Sequence, residues 1–231
     1  RSFPEIDRNR TFFAGLSWGS WYGACVAAVD GRFKGCLEIY CGDKNASPDL
    51  KDIMKLVNGR FLHAARVPMW WIVSTNDRNV TPETSAAGFA ATPTFLGATV
   101  VNNLAHGHGG YQFDSVRRMV RYFAGLAKPL PRLGKPMVSG NRVSAAILDP
   151  GEGHLTGRLG YTCSANPVSW RREWKYAPAT IRDGVISAEL PAGTRQCYLA
   201  AYECEAWRND MCGTTTYVFV DDGVRRDIPA Q

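Results

Sequence analysis

The segment TFFAGLSWGSWYGACVAA, residues 11–28, places a serine between two glycines in the pattern Gly15-x-Ser17-x-Gly19. An apolar run precedes the pattern and a helical sequence follows it, which predicts a strand, a tight turn and a helix. Such a turn holds the serine at a strained junction with its hydroxyl exposed. Ser17 is therefore a candidate nucleophile, and the N–H of Trp18 is a candidate oxyanion donor. A glycine-rich turn in any α/β protein would show the same local pattern.

Short apolar runs alternate with helical patterns in the first part of the chain. We predict strands at 11–16, 35–40, 68–75 and 97–102, and helices at 18–29, 48–64, 82–91 and 111–126. This alternation is typical of a parallel sheet covered by helices. Because the carboxyl ends of parallel strands meet at one edge of a sheet, the loops after the strands are expected to hold the other residues of the site.

A serine nucleophile needs a base, and the base needs a carboxylate that orients it. The loop after the third predicted strand, STNDRNVTPE, contains Asp77, and the loop after the fourth, VVNNLAHGHGG, contains His106. The order serine, acid, histidine on successive strand ends is the one that a serine hydrolase elbow requires. We predict Ser17 as the nucleophile, Asp77 as the acid and His106 as the base.

Each predicted member of the triad has a competing interpretation. Asp77 could cap a turn, and His108 could replace His106 as the base. The two histidines could also bind a metal, but no third ligand stands out, so we expect neither a metal nor a cofactor. Glu83 and Asp114 are poorer acid candidates because both fall in predicted helices.

These segments resemble a family, the α/β-hydrolase serine esterases of the acetylxylan esterase and dienelactone hydrolase type. The similar stretches are DRNRTFFAGLSWGSWYGACVAAVDGRFKGCLE, VPMWWIVSTNDRNVTP and VVNNLAHGHGG. The resemblance covers about residues 5–126 and extends to hydrolases resembling PhoPQ-activated pathogenicity-related proteins, in which a trailing β domain also occurs. It implies the same three catalytic roles. Two features depart from it: Ser20 stands where a second glycine often follows, and the loop from Asp77 to Pro82 is one residue longer than usual.

The chain changes character after residue 127. The stretch KPLPRLGKP has three prolines and a glycine and predicts a linker at 128–137. From 138 to 220 short strands alternate with turn signals, which predicts a small antiparallel β-sandwich, and the polar stretch 221–231 predicts a loose tail. The predicted fold class is the C-terminal half of an α/β-hydrolase parallel sheet at 1–127, followed by this sandwich.

The seven cysteines lie in an early and a late group: Cys25, Cys36 and Cys41, then Cys163, Cys197, Cys204 and Cys212. None of the spacings forms the C-x-x-C pairs of a zinc site. The grouping favours disulfides and therefore a secreted or periplasmic protein, with buried free thiols as the alternative. The late group can form two bridges, whereas the early group leaves one cysteine over.

The formal charge of +6 is scattered, with its densest spots at 171–173 and 224–226. Scattered charge is typical of a solvated surface, so we expect no nucleic-acid partner. No apolar run approaches the roughly 20 residues of a membrane span, and the beginning of the chain lacks a signal pattern. We therefore expect no membrane span.

The resemblance also predicts that part of the site is missing. Its sheet usually has several strands before the nucleophile strand, and one of their loops supplies a second oxyanion N–H. A nucleophile strand at 11–16 would lie at the sheet edge with unpaired backbone groups. We expect either a fragment or a processed precursor whose N-terminal companion chain stays bound. In the second case, the leftover early cysteine could form a disulfide to the companion chain.

Three functions compete at this point. The leading hypothesis is a serine hydrolase that cleaves an ester, such as an acyl ester on a carbohydrate or small molecule, through an acyl-enzyme. A serine peptidase is an alternative because the same triad cleaves amides. A noncatalytic binding protein could use Trp170, Trp174 and Trp207 as a carbohydrate-stacking surface, although aromatic residues in a small β domain are more often core.

Overall fold

The computed structural model describes residues 3–43, 61–203, 211–221 and 224–226. The helices are α1 (Trp18–Val29), α2 (Pro82–Ala91) and α3 (Asp114–Phe123), with 3₁₀-helices at His108–Gln112 and Ser169–Arg171. The first strands are β1 (Phe13–Leu16), β2 (Cys36–Ile39), β3 (Met69–Ser74), β4 (Phe95–Val101), β5 (Arg132–Leu133), β6 (Met137–Ser139) and β7 (Arg142–Asp149). The remaining strands are β8 (Thr156–Thr162), β9 (Lys175–Arg182), β10 (Val185–Glu189), β11 (Gln196–Tyr202), β12 (Cys212–Thr214), β13 (Val218–Asp221) and β14 (Val224–Arg226).

Strands β1 to β4 are parallel and lie side by side in chain order. Every residue of β2 and β3 is buried, because α1 and α2 pack on one face of these strands and α3 packs on the other. The predicted helices at 18–29 and 82–91 are confirmed, and the one predicted at 111–126 is shorter, at 114–123. The helix predicted at 48–64 lies outside the described residues, except that 61–63 are helical.

The parallel strands continue directly into the second half of the chain. β12 pairs antiparallel with the outer edge of β4, and the order then runs β11, β8, β9, β10, β7 and β5. Two threonine side chains reinforce the junction: Thr99 Oγ1 donates to Cys212 O at 2.7 Å and Thr214 Oγ1 donates to Ala98 O at 3.2 Å. The described strands thus form one mixed sheet of 14 strands.

The predicted fold class, half of an α/β-hydrolase parallel sheet followed by a separate sandwich, is therefore wrong. The four parallel strands are a minority within a mostly antiparallel mixed sheet. Short alternating strands look the same in sequence whether they build a second sheet or extend an existing one, since both have a side-chain period of two. The open edge of β4 decides the outcome, because pairing it with β12 satisfies backbone groups that a separate sandwich would leave unpaired.

One aromatic core joins the two halves. Trp174 and Tyr217 from the second half are buried in the same cluster as Trp71 and Phe89 from the first half. Phe89 lies parallel to Tyr217 with ring centroids 6.4 Å apart. Trp174 is thus a core residue and cannot belong to an exposed stacking surface; Trp170 is exposed, and residue 207 lies outside the described residues.

The proposed boundaries between the two halves stay a prediction, but two local expectations change. The predicted linker at 128–137 contains β5, which pairs with β7, and the first residue of β6. The predicted loose tail contains β14, which forms a hairpin with β13, and residues 222–223 and 227–231 lie outside the described ranges.

No disulfide joins the six cysteines that the structure describes, and Cys204 lies outside the described residues. Cys36 and Cys197 are buried in different hydrophobic clusters, which keeps these early and late thiols apart. Burial raises the pKa of Cys197 to about 12. The predicted secreted or periplasmic location stays a prediction. In the described parts of the chain, no helix is long and apolar enough to cross a bilayer.

Candidate active site

Ser17 occupies a strained turn between β1 and α1. Its backbone has φ 55° and ψ −116°, a conformation that costs a non-glycine residue on the order of 1–3 kcal/mol. Hydrogen bonds hold the turn on both sides: the N–H of Ser17 donates to Ile39 O at 2.8 Å, and its carbonyl accepts from the N–H of Ser20 at 3.0 Å. The turn is therefore fixed by β2 and by the first turn of α1.

The two glycines of the pattern differ in what they contribute. A Cβ on Gly15 would lie 2.3 Å from the carbonyl oxygen of Gly19, a distance that no side chain could accept. A Cβ on Gly19 would meet no described atom within 4 Å. Glycine is therefore sterically required at position 15, where the backbone of α1 lies against β1, and not at position 19.

Ser17, His106 and Asp77 lie together at the carboxyl ends of the parallel strands. The Oγ of Ser17 is 2.8 Å from Nε2 of His106, and Nδ1 of His106 is 2.7 Å from Oδ2 of Asp77. The three residues follow β1, β3 and β4, so strands separated in sequence place them at one edge of the sheet. The imidazole thus bridges the hydroxyl and the carboxylate.

The Asp77 carboxylate is fixed by its own loop. Its Oδ1 accepts hydrogen bonds from the N–H groups of Asn79, at 2.6 Å, and Val80, at 3.1 Å. Asp77 is 1% exposed, so no water competes for its oxygens. Because Oδ1 is already occupied, Oδ2 is the oxygen left to accept the Nδ1–H of His106. Asp77 therefore both caps its own turn, which was one interpretation of the sequence, and contacts His106.

His106 is the histidine at this site. His108 is exposed and begins the 3₁₀-helix, whereas His106 makes both contacts of the bridge. Tyr40 packs against the His106 ring, with ring centroids 4.7 Å apart, and its hydroxyl donates to Ala105 O at 3.0 Å. Tyr40 thereby limits the positions that the imidazole can adopt.

No motif in the sequence indicates the role of Tyr40. It follows β2 at the same sheet edge as Ser17, and its φ of 55° becomes visible only in the structure. Burial, and next the negative charge of Asp77, raise the pKa of Tyr40 to about 12. Its hydroxyl therefore stays protonated and remains a hydrogen-bond donor at neutral pH.

The other acid candidates lie in unrelated contacts. Glu83 forms an ion pair with Arg172 and accepts a hydrogen bond from Gln196. Although burial opposes it, these contacts lower the pKa of Glu83 below its ordinary value. Asp114 faces Arg117 at 3.6 Å in the first turn of α3. Within the described ranges, no group of three potential ligands could hold a metal ion.

Trp18 is the first residue of α1, directly after Ser17. The first N–H groups of a helix have no acceptor within the helix, so they are free to bind negative charge. The Trp18 N–H makes no backbone hydrogen bond among the described residues. Its side chain is half exposed and packs edge-on against Trp21.

The second half of the chain holds the loops that carry the triad. The side-chain amide of Asn76, next to Asp77, donates to Trp170 O at 3.2 Å and to Arg172 O at 2.8 Å. The hydroxyl of Tyr198 donates to Asn102 Oδ1 at 2.8 Å, at the start of the histidine loop. The segment around the second 3₁₀-helix and strand β11 therefore support the loops that carry Asp77 and His106.

The substitution Asn76→Asp tests this support. The new carboxylate would face the two carbonyl oxygens to which the amide now donates, and the repulsion would displace the loop that carries Asp77. For the ester hydrolysis proposed below, we expect kcat to fall about tenfold, with KM changed less than about twofold. Asn141→Asp adds the same charge at an exposed position on the far part of the sheet and is expected to leave both constants unchanged. Unchanged kcat in the Asn76 variant would contradict this role.

A buried carboxyl group lies beneath the turn that holds Ser17. Glu38 on β2 is fully buried under α1, where the thiol of Cys36 donates to its Oε1 at 3.0 Å. Its other oxygen has no hydrogen-bond partner among the described residues. Burial, opposed in part by the bond from Cys36, raises the pKa of Glu38 to about 8. Glu38 is therefore largely protonated at neutral pH.

This raised pKa predicts a pH-dependent stability. Between the ordinary value of 4.5 and about 8, the folded protein keeps a proton on Glu38 that the unfolded chain has released. The contribution of Glu38 protonation to the free energy of unfolding is complete below pH 4.5. It is lost as the pH rises to 8, by at most about 1.4 kcal/mol per pH unit. Glu38→Gln cannot ionise, so its free energy of unfolding should fall less between pH 5 and pH 8. Urea unfolding of both proteins checks this, and equal pH dependence would contradict it.

Comparisons with known proteins add little to this geometry. No protein-family model matches the chain, and no curated protein matches its sequence. A solved structure titled "Crystal structure of XAC1771, a novel carbohydrate acetylesterase from Xanthomonas citri" is similar over 79% of this chain and 47% of that one, at 13% identity and a TM-score of 0.38. A structure named AbyA5 is similar over 51% and 44%, at 14% identity and a TM-score of 0.35. The chain spans less than half the length of either structure.

Proposed function

We propose that this chain is a serine hydrolase that cleaves a carboxylic ester, such as an acyl ester on a carbohydrate or small molecule. One observation carries the proposal: a serine in a strained strand-to-helix turn lies 2.8 Å from a histidine whose other nitrogen lies 2.7 Å from a buried carboxylate. Backbone strain at a serine, a base beside its hydroxyl and an acid that orients the base are together typical of a catalytic nucleophile.

The contacts support one direction of proton transfer. Asp77 accepts the Nδ1–H of His106, so Nε2 presents its lone pair to the Ser17 hydroxyl. The Ser17 oxygen attacks the ester carbonyl carbon while its proton moves to Nε2. The carbonyl oxygen becomes negative near the Trp18 N–H, where the amino end of α1 stabilises it.

Collapse of this tetrahedral intermediate breaks the bond to the leaving alkoxide. His106 donates its proton to the departing oxygen, which leaves as an alcohol, and Ser17 remains acylated. A water molecule then loses a proton to Nε2 and attacks the acyl carbon. The carboxylic acid leaves, Ser17 takes back its proton, and the site returns to its starting state.

An ester is favoured over an amide by the demands of the leaving group. An alkoxide departs from a tetrahedral intermediate more readily than an amine, which must be protonated first. The same Ser17, His106 and Asp77 therefore face the lower barrier with an ester.

Hydrolysis of matched substrates tests the proposal. The native protein should release p-nitrophenol from p-nitrophenyl acetate and acetate from an acetylated sugar, with slower or no cleavage of the corresponding p-nitroanilide. Faster cleavage of the anilide would indicate a peptidase. No turnover of any of the three, with the Ser17→Ala variant indistinguishable from the native protein, would indicate a noncatalytic role.

We further propose that a companion polypeptide adds a strand beside β1. Among the described residues β1 pairs only with β2. The N–H of Phe13 and that of Ser17 point toward β2, so those of Ala14 and Leu16 point to the open side. A long-lived open edge invites pairing with another chain.

An exposed apolar stripe on α1, the helix that follows β1, supports the same proposal. Trp18, Tyr22 and Val29 are 52%, 60% and 76% exposed, and their spacing of four and seven residues places them near one stripe of the helix. A companion that pairs with β1 and packs on this stripe would bury both features. A disulfide to that companion stays a prediction.

Hydrogen exchange combined with native mass spectrometry tests the companion. A bound companion predicts a second polypeptide mass in the native complex and slow exchange of the Ala14 and Leu16 amides. Fast exchange of those amides in a catalytically active single-chain species would contradict the companion and leave the hydrolase proposal standing. A doubled mass of this chain alone would instead indicate pairing between two copies.

A further inference from the structure

A cavity lies far from Ser17, His106 and Asp77. It has a volume of about 400 Å³, within the range of small-molecule sites, and lies between α2, the beginning of β4 and the segment around β5. Three aromatic rings form one wall: Phe89 lies 5.0 Å from Phe95 and 6.4 Å from Tyr217, between ring centroids. Leu96 and Leu133 add aliphatic surface. Most of the lining is therefore apolar.

The charges at this cavity have one sign. Arg132 and Lys135 line it, and no aspartate or glutamate is among its lining residues. The Nε of Arg132 donates to Leu96 O at 3.1 Å, which anchors the side chain on β4. Among the described residues no carboxylate pairs with the Arg132 guanidinium, so its terminal N–H groups are available to a ligand. The cavity thus combines an apolar body with a fixed cation.

Its position separates the cavity from the candidate active site. Phe95 and Leu96 begin β4, and the triad loop with His106 follows the other end of that strand. The seven residues of β4 span roughly 20 Å at the usual rise of a strand. A molecule in this cavity would therefore leave Ser17 accessible.

We propose that this cavity binds an amphiphilic anion, a monocarboxylic acid with an apolar body. The guanidinium of Arg132 matches the two oxygens of a carboxylate, and the partly buried setting strengthens that pairing relative to one in water. The aromatic wall takes the apolar body by removing its surface from water. A neutral or cationic analogue loses the charged contact, so charge as well as apolarity should govern binding.

Calorimetry with decanoate tests this site, with decan-1-ol and decyltrimethylammonium as comparison ligands. Decanoate should bind the native protein and the Ser17→Ala variant equally, and more tightly than either comparison ligand. Arg132→Met should weaken decanoate binding by about tenfold or more. Arg182→Met removes a charge from an exposed position elsewhere and should have no effect. Ala90→Phe places a ring at the cavity and should also weaken binding while leaving Arg132 in place.

Three results would overturn the proposal: no decanoate binding at millimolar concentration, equal binding to the native protein and both cavity variants, or binding that is lost when Ser17 is chemically modified. Urea unfolding of the Arg132 variant shows whether it is folded. If the Arg132 variant does not fold, the Ala90 variant is the test, because Ala90 is exposed and replacing its methyl group breaks no hydrogen bond.

Discussion

Replacing Ser17 with alanine is expected to lower kcat for ester hydrolysis by on the order of 10⁴- to 10⁶-fold. The Oγ that lies 2.8 Å from His106 Nε2 is removed, so no covalent acyl-enzyme can form. His106→Ala should have an effect of similar size, because Ser17 would then lack the base that takes its proton. Initial rates with the substrate turned over fastest by the native protein provide the measurement.

A variant in which both Ser17 and His106 are replaced by alanine tests whether the two residues act together. If Ser17 and His106 act as one unit, removing both should lower kcat no further than removing either alone. Ser139→Ala provides the matched control, since Ser139 is an exposed serine on β6. A Ser17→Ala protein that keeps more than about a tenth of the native kcat, while folded by its urea unfolding curve, would contradict the assignment.

Asp77→Asn is expected to lower kcat by about 10⁴-fold. The new side chain keeps an oxygen for the N–H groups of Asn79 and Val80, so the loop should hold its shape. Its amide would donate to His106 Nδ1, which fixes the proton on Nε2. Nε2 would then face Ser17 as a donor and could not accept the hydroxyl proton.

Asp114→Asn controls for the loss of a negative charge, because Asp114 lies in the first turn of α3 and faces Arg117. We expect it to leave kcat unchanged. The Asp77→Asn substitution should change kcat and leave KM nearly unchanged, since Asp77 is 1% exposed and has no surface for a substrate to contact. A change confined to KM would show that Asp77 acts in binding rather than in orienting His106.

The parallel part of the fold could be predicted because local signals agree there. The helix Trp18–Val29 begins directly after the strained turn at Ser17. The helix Pro82–Ala91 begins after Thr81, whose hydroxyl accepts a hydrogen bond from the N–H of Thr84. Strand β3 between them is an apolar run from Met69 to Val73, as expected for a strand covered on both faces. Each element is determined by residues close to it in the chain.

The arrangement of the second half could not be predicted in the same way. Whether β12 pairs with β4 depends on the edge left open by the first half, and no residue within β12 encodes that choice. The burial of Trp174 depends on the same pairing, because the shared sheet brings it into one cluster with Trp71 and Phe89 of the first half. Contacts between distant segments, rather than local patterns, decided these outcomes.

The candidate site shows the same division. Gly15, Ser17 and the order of acid and histidine are local patterns that a sequence can display. The contacts of Tyr40 with His106 and of Asn76 with the carbonyls of Trp170 and Arg172 join segments that are far apart in the chain. Local patterns therefore indicate Ser17, Asp77 and His106 as candidates, whereas the contacts of Tyr40 and Asn76 become visible only in the folded chain.

The most direct test of the central claim is the reaction of the native protein with a fluorophosphonate, followed by peptide mass mapping. A nucleophile activated by His106 should carry the label at Ser17, with one label per chain, and His106→Ala should abolish labelling. Absence of label at Ser17 in native material, with any associated polypeptide retained, would contradict the assignment of this chain as a serine hydrolase. Labelling that persists unchanged in the His106 variant would contradict the role of that histidine.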